Sequence, residues 1–268
     1  MHFLYNMHSV WMALIIVGVT LSVALLGYAI TSRFRLVLMD PEQRAMMIAM
    51  MSIVTTINSL IVAFAAISVW EAYNAADRTV TEEAACAGEL ARDLAAFRSP
   101  AADITGRALQ VYMQMVVRKE WPVMQQQSKQ DEETARHFEA MFDAANDIAP
   151  TDARQSALLT EVLARTNEMV KYRQQRVLTL ETSMPGTLWG VTLALSGLSF
   201  LLLYALPPTR FHILLVGTWG TTLGLVFFFI MAVDRPFAGE VSVSPTPFVR
   251  TIDSLVISRT WPKEVVAP

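Results

Sequence analysis

The apolar and polar positions of this chain sort into four long uncharged runs separated by one long polar stretch. The runs occupy residues 10–30, 46–70, 186–206 and 211–233 and contain no Asp, Glu, Lys or Arg. A helix rises 1.5 Å per residue, so about 20 apolar residues cross a hydrocarbon core of about 30 Å. Each run is long enough, and the pattern predicts four transmembrane helices. The second ends in SLIVAFAAISVWEAY at residues 59–73, where Glu71 is the first charge after Arg44. That stretch either anchors the chain in a bilayer or forms the wall of a pore.

Between the second and third runs, residues 71–185 carry 13 Lys/Arg against 18 Asp/Glu, a net of −5. Apolar or small residues return there at helical spacing, at Ala76, Val80, Ala84, Ala87, Ala91 and Leu94, as the inward stripe of an amphipathic helix does. No Pro or turn signal intervenes after Trp70, so the second span is expected to continue out of the membrane as one helix until SPAAD at 99–103 breaks it. A stripe of Ile104, Ala108, Val111 and Met115 follows, and Pro122 is expected to bend or end that element. Ser128 is a candidate cap for a third helix carrying Phe138, Met141, Phe142 and Ala145. Thr151 then opens a fourth, which returns to the membrane at Met184-Pro185.

The expected fold class is therefore all-α: a polytopic membrane protein with four transmembrane helices and a helical bundle domain inserted between the second and third. The expected divisions are a first helix pair within 1–70, an up-and-down bundle over 71–185, a transmembrane hairpin over 186–233 joined by PPTR at 207–210, and a Pro-containing tail over 234–268. In that tail VSVSP reads as extended, and a short amphipathic helix is expected from Thr251, with Ile252, Leu255 and Val256 on one side.

Composition agrees with a bilayer protein, with 53% hydrophobic and 17% charged residues, against roughly a quarter charged in soluble domains. The first run lacks an A-x-A-like cleavage site and basic flank, so it reads as a retained span and not a signal peptide. Cys86 is the one cysteine and cannot form an intrachain disulfide. With no CxxC, HExxH or close His/Cys grouping, no metal or other cofactor is expected. The net charge of −3 leaves no footprint for nucleic acid. Which side the domain faces is nearly balanced. Arg33, Arg35, Arg44 and Arg210 flank one side and Arg78, Lys171, Arg173, Arg176 and Arg235 the other. The weight given to short loops leans towards a domain outside the cytoplasm, whereas an unpaired thiol leans the other way.

Uncharged spans weaken pump and coupled-transporter readings, because an intramembrane charge is the usual sign of a proton or ion relay. Neutral polar groups remain: Ser52, Thr55, Thr56, Asn58 and Ser59 crowd the first half of the second span. They suit either helix packing or the polar wall of a conduit. Thr56, Leu60 and Phe64 recur every four residues and share one side of the helix. Around an axis they would form successive rings, with an apolar constriction of the kind that gates by dewetting. In the fourth span Gly217, Gly220 and Gly224 fall on neighbouring turns and are expected to pack against another helix. Glu82, Glu83, Glu89 and Asp93 read as the solvated face of a long helix. No nucleophile, base and orienting group assemble, so an enzyme is not expected.

Several fragments together resemble one family, the bestrophin-like membrane proteins of bacteria. They are SLIVAFAAISVWEAYNAA, VTEEAA at 80–85, Leu109 and Tyr112, VVRKEWPVM at 116–124 with Glu120, Trp121 and Pro122, RQQRV at 173–177, Met184-Pro185 with Leu188-Trp189, and DRPFAGEVSVSPTPF at 234–248 with Asp234, Arg235, Pro236 and Phe237. The resemblance implies a homo-oligomeric channel in the inner membrane of a bacterium, passing inorganic ions, anions by preference, with Thr56, Leu60 and Phe64 facing the pore. The sequence departs from bestrophins at Ala63, where Gly is usual, and at Leu60, where a second Phe would stand. It lacks the acidic cluster of the calcium clasp, so no calcium gating is expected. Bestrophins place the inserted domain in the cytoplasm, against the lean of the charge count. The alternative reading is a membrane-anchored interaction or sensory module whose helical domain binds a partner.

Overall fold

The computed structural model describes residues 7–34 and 40–261. Arg35, within the first link, and residues 262–268 of the tail lie outside the described residues. The described residues form helices and turns, with no strand among them. The helices are α1 (Ser9–Phe34), α2 (Pro41–Phe97), α3 (Pro100–Met115), a π-helical turn (Val116–Glu120), α4 (Trp121–Gln127), α5 (Glu132–Asn146), α6 (Ala153–Thr179), α7 (Gly186–Leu203), α8 (Arg210–Val233) and α9 (Thr246–Ile257). Four of them, α1, α2, α7 and α8, are long and apolar enough to cross a membrane. The chain divides into two units, one of residues 1–72 and 183–235, the other of 73–182 and 236–268.

In the first unit the dominant pairing is α8 on α1, more extensive than that of α8 on its hairpin neighbour α7. The reason lies in side-chain size. A Cβ added at Gly224 would stand 2.8 Å from the Cα of Val17, and one at Gly220 would stand 2.8 Å from the Cβ of Ala24, so these two glycines let the backbones meet. Gly217 is different, since a Cβ there would meet Leu21 and Leu25 at an ordinary 3.9 Å. Tyr204 closes the far end of the unit: its hydroxyl donates to the Val23 carbonyl at 2.7 Å, over Gly27, where any Cβ would collide with the phenol ring. We expect Gly224→Val to lower the midpoint of thermal unfolding in detergent, at a cost of about 1–3 kcal/mol for overpacking. Gly217→Ala should leave that midpoint unchanged or raise it.

In the second unit α2 continues without a break to Phe97, and Arg98 leaves it in the left-handed region at φ 56°. The Ser99 side chain then caps α3 by accepting from the Ala102 amide. At Pro122 the chain neither bends away nor stops. Proline has no N–H and its ring presses on the carbonyl four residues back; the turn before it widens to π geometry, with the Trp121 amide donating to the Val116 carbonyl five residues earlier. Ser128 proves to be the left-handed end of α4, at φ 52°, and the cap of α5 is Asp131, whose carboxylate accepts from the Thr134 amide. Asp152 similarly caps α6 by accepting from the Gln155 amide, one residue beyond the expected Thr151. A carboxylate there gains from the helix dipole as well as from the hydrogen bond. In the tail, residues 242–244 of VSVSP form neither helix nor turn and pair in no strand, and α9 begins at Thr246, five residues earlier than expected.

The core of this unit is built from Leu90, Leu94, Leu109, Met113, Met141, Met169, Phe97 and Phe248, all essentially buried. Burying such side chains stabilises by about 1.5–3 kcal/mol each.

Candidate functional site

Two features stand out from the packing: a one-sided face on the second span, and a cluster of buried charges in the helical domain. Along α2, Asn58, Val62, Ala65 and Val69 are buried. At 100° per residue they fall on one stripe. It packs within its unit on α7, where the Ser196 hydroxyl donates to the Asn58 side-chain oxygen at 3.2 Å, and on α8, where Trp70 lies 6.3 Å from Phe229. Thr56, Leu60 and Phe64 lie on the opposite side and are exposed, Leu60 to 70% and Phe64 to 64%. The hydroxyls of Thr55, Thr56 and Ser59 are satisfied within α2 by carbonyls four residues back. Of that polar group, Asn58 is the member seen to reach another helix.

The buried cluster joins five side chains from four elements. Glu83 comes from α2, Tyr112 from α3, Glu120 from the π-turn, and Arg173 and Arg176, one turn apart, from α6. The Arg176 guanidinium donates to both oxygens of Glu83, at 2.7 and 3.2 Å, and to Glu120 at 3.0 Å. Arg173 forks onto both oxygens of Glu120 at 3.1 Å. The Tyr112 hydroxyl donates to Glu83 at 2.6 Å and accepts from Arg173 at 3.1 Å. Phe138 and Trp121 cover the two guanidinium groups, 5.2 and 5.8 Å from ring centroid to carbon.

Two positive and two negative charges thus balance out of contact with water. Burial disfavours the Arg176 charge, but the Glu83 and Glu120 carboxylates outweigh it and hold the guanidinium protonated well above its ordinary range. For Tyr112, burial first and Glu83 second push the phenol upward. Both carboxylates are used on both oxygens, so the cluster is a closed clasp. Isolated buried charges of this kind would cost several kcal/mol each; the bidentate forks offset that cost. Glu83 is therefore not part of a solvated acidic face. Arg173 and Arg176 hold together α2, α3, the π-turn and α6.

Beside the clasp the EWPVM and DRPF segments of the sequence meet. The Trp121 indole N–H donates to the Val243 carbonyl at 3.1 Å, and its ring stands edge-on to Phe237 and Phe248, at 5.8 and 6.2 Å. Pro236 accepts from the Val243 amide at 2.7 Å, and Gly239 supplies a left-handed φ of 78° that the turn requires. In the other unit Asp234 ends α8 and accepts from the Met184 amide at 2.6 Å, tying that end of α8 to the entry of α7.

Cys86 is also buried, with its Sγ 3.3 Å from the Arg165 carbonyl. Burial, with Glu168 next, pushes its thiol up to about 12. Because the native pKa lies above the unfolded one, the native state holds the proton more tightly. This contribution to stability is complete below about pH 8.5, the ordinary thiol value, and is lost as pH rises towards 12. We expect native protein to resist iodoacetamide at pH 8 and to react at once when unfolded, as mass spectrometry of the single thiol would show.

Among the described residues no group of His, Cys, Asp and Glu is arranged to hold a metal ion. No curated protein and no solved structure matches the chain. The bestrophin-like domain matches residues 18–248, a range that takes in most of the first long apolar helix, the other three in full, the clasp, and the Trp121 and Phe237 motifs. The chain is thus an integral membrane protein that belongs to the bestrophin-like domain family.

Proposed function

We propose that several copies of this chain surround a common axis and form an ion channel, with α2 lining the pore and anions as the permeant species. The observation that supports this most is the one-sidedness of α2. Its packing within the protomer turns Asn58, Val62, Ala65 and Val69 inward, which leaves Thr56, Leu60 and Phe64 for whatever lies outside: lipid for a monomer, an axis for a ring. Membership of the bestrophin-like family favours the ring. Two successive apolar rings at Leu60 and Phe64 would gate by dewetting, and phenyl edges carry the positive part of the ring quadrupole, which tolerates anions. The absence of Asp, Glu, Lys and Arg from residues 46–70 suits passive conduction better than coupled transport.

The test is chloride or iodide efflux from liposomes carrying the full-length protein. Saturable, protein-dependent efflux is expected; liposomes no leakier than protein-free controls would sink the proposal. A single-particle preparation that is monomeric would instead favour a membrane-anchored module whose helical domain binds a partner.

A further inference from the structure

The apolar stretch of α2 ends at Glu71, the first charge after the uncharged residues 45–70. This residue shares the azimuth of the exposed apolar face. It lies seven residues beyond Phe64 and eleven beyond Leu60, which at about 100° per residue places it between the two, about 20° from each. Because α2 runs without a break from Pro41 to Phe97, that phase carries through position 71. At a rise of 1.5 Å per residue, Glu71 stands about 10 Å beyond Phe64 along the helix.

Its side chain is exposed and takes no partner among the described residues. Arg78, the next cation along that side of α2, follows seven residues later, whereas side chains on a helix meet across three or four. The residue before Glu71 fixes its level. Trp70 packs 6.3 Å from Phe229 of α8, and an indole at the end of an apolar run marks the depth at which hydrocarbon gives way to headgroups. A lone carboxylate there is poorly served by lipid, since anionic headgroups attract Lys and Arg and repel acids. Facing an axis, it meets water instead.

From the phase of Glu71 and its unpartnered charge we infer that it is a charge-selecting residue at one mouth of the pore. One carboxylate from each chain makes a ring of negative charge just past the apolar collars of Leu60 and Phe64. Such a ring concentrates cations and depletes anions within a Debye length of about 10 Å at 0.1 M salt. Glu71 therefore opposes the anion preference of the phenyl collar and limits how far that preference goes. This inference rests on the reading of α2 as a pore wall.

The experiment is the reversal potential of the full-length protein in planar bilayers of neutral lipid under a potassium chloride gradient, which gives the permeability ratio of chloride to potassium. That ratio does not depend on how many channels insert, and a role in folding alone would not move it. It should rise from wild type to Glu71→Gln to Glu71→Lys, by about threefold or more at the first step, a modest part of the roughly tenfold or greater enrichment of counter-ions in charge-lined clefts. Glu71→Asp should stay near wild type. The differences should shrink in 1 M salt, where the screening length falls to about 3 Å. With an exposed and unpartnered side chain at this position, Glu71→Gln should keep the unfolding midpoint. Wild-type protein that passes no current would remove the pore reading and this inference together. Current in the wild type, with the same ratio in both Glu71→Gln and Glu71→Lys, would overturn the inference and leave the pore standing. A shift in ratio that persists undiminished at high salt would overturn it as well.

Discussion

Arg176→Leu should unfold the helical domain, or leave it so weakened that it is digested by protease at room temperature. The substitution keeps much of the side-chain volume and removes the one group that touches both buried carboxylates, Glu83 and Glu120. Neither carboxylate has water to turn to, as both are fully buried. Breaking a buried pair by removing one partner costs about 3–5 kcal/mol, a large share of a total stability of about 5–15 kcal/mol. Arg173→Leu should cost less, because Arg176 remains on Glu120. Pairing Arg176→Leu with Glu83→Leu should recover a substantial part of the loss, since the remaining Arg173–Glu120 fork is neutral. That non-additivity is the signature of a direct interaction. Thermal unfolding followed by circular dichroism in detergent would measure wild type, Arg173→Leu, Arg176→Leu, Glu83→Leu and the Arg176→Leu/Glu83→Leu pair. Equal and additive losses would show that packing volume alone accounts for the site.

The second large effect is functional. With Leu60 and Phe64 both changed to alanine, efflux from liposomes should rise about tenfold or more, the change expected if about 1.4 kcal/mol is taken off the barrier. The reasoning is that an apolar constriction excludes ions because it excludes water, and truncating both rings widens and wets it. Neither side chain is buried in the protomer, so the fold should tolerate the change and the unfolding midpoint should hold. Ile67, also exposed on α2, lies seven residues beyond Leu60 and so within about 20° of it around the helix; Ile67→Ala should raise efflux as well.

Much of the architecture was legible in the sequence, and for a plain reason. A bilayer imposes about 20 apolar residues on any helix that crosses it, so the four long apolar helices announce themselves through composition alone. Continuity of α2 past Trp70 could be read as well, because Ala76, Val80, Ala84 and Ala87 keep the helical period. What depended on distant partners could not. Glu83 follows Glu82 in a run of acids, and nothing local distinguishes the buried one; its partner Arg176 lies 93 residues away. A signal did exist. VTEEAA, EWPVM and RQQRV are among the fragments that carried the family resemblance, and they are the segments that supply Glu83, Glu120, Arg173 and Arg176 to the clasp.

Other misreadings have the same physical origin. Ser128 and Asp131 are both competent caps, and the left-handed turn at Ser128 decided between them. Pro122 suggested a break, yet one wider helical turn accommodates it. For the glycines of the fourth span the sequence pointed to another helix without saying which; the small residues of α8 bring it closest to α1, more than to its hairpin neighbour α7.

The central claim is that Thr56, Leu60 and Phe64 face an axis shared by several copies of the chain. A density map of the detergent-solubilised full-length protein tests it most directly. The account predicts a symmetric ring with α2 innermost, Thr56, Leu60 and Phe64 forming successive collars and the narrowest radius at Leu60 or Phe64. A monomer, a closely packed dimer without an axial opening, or a ring in which Leu60 and Phe64 point into lipid would contradict it.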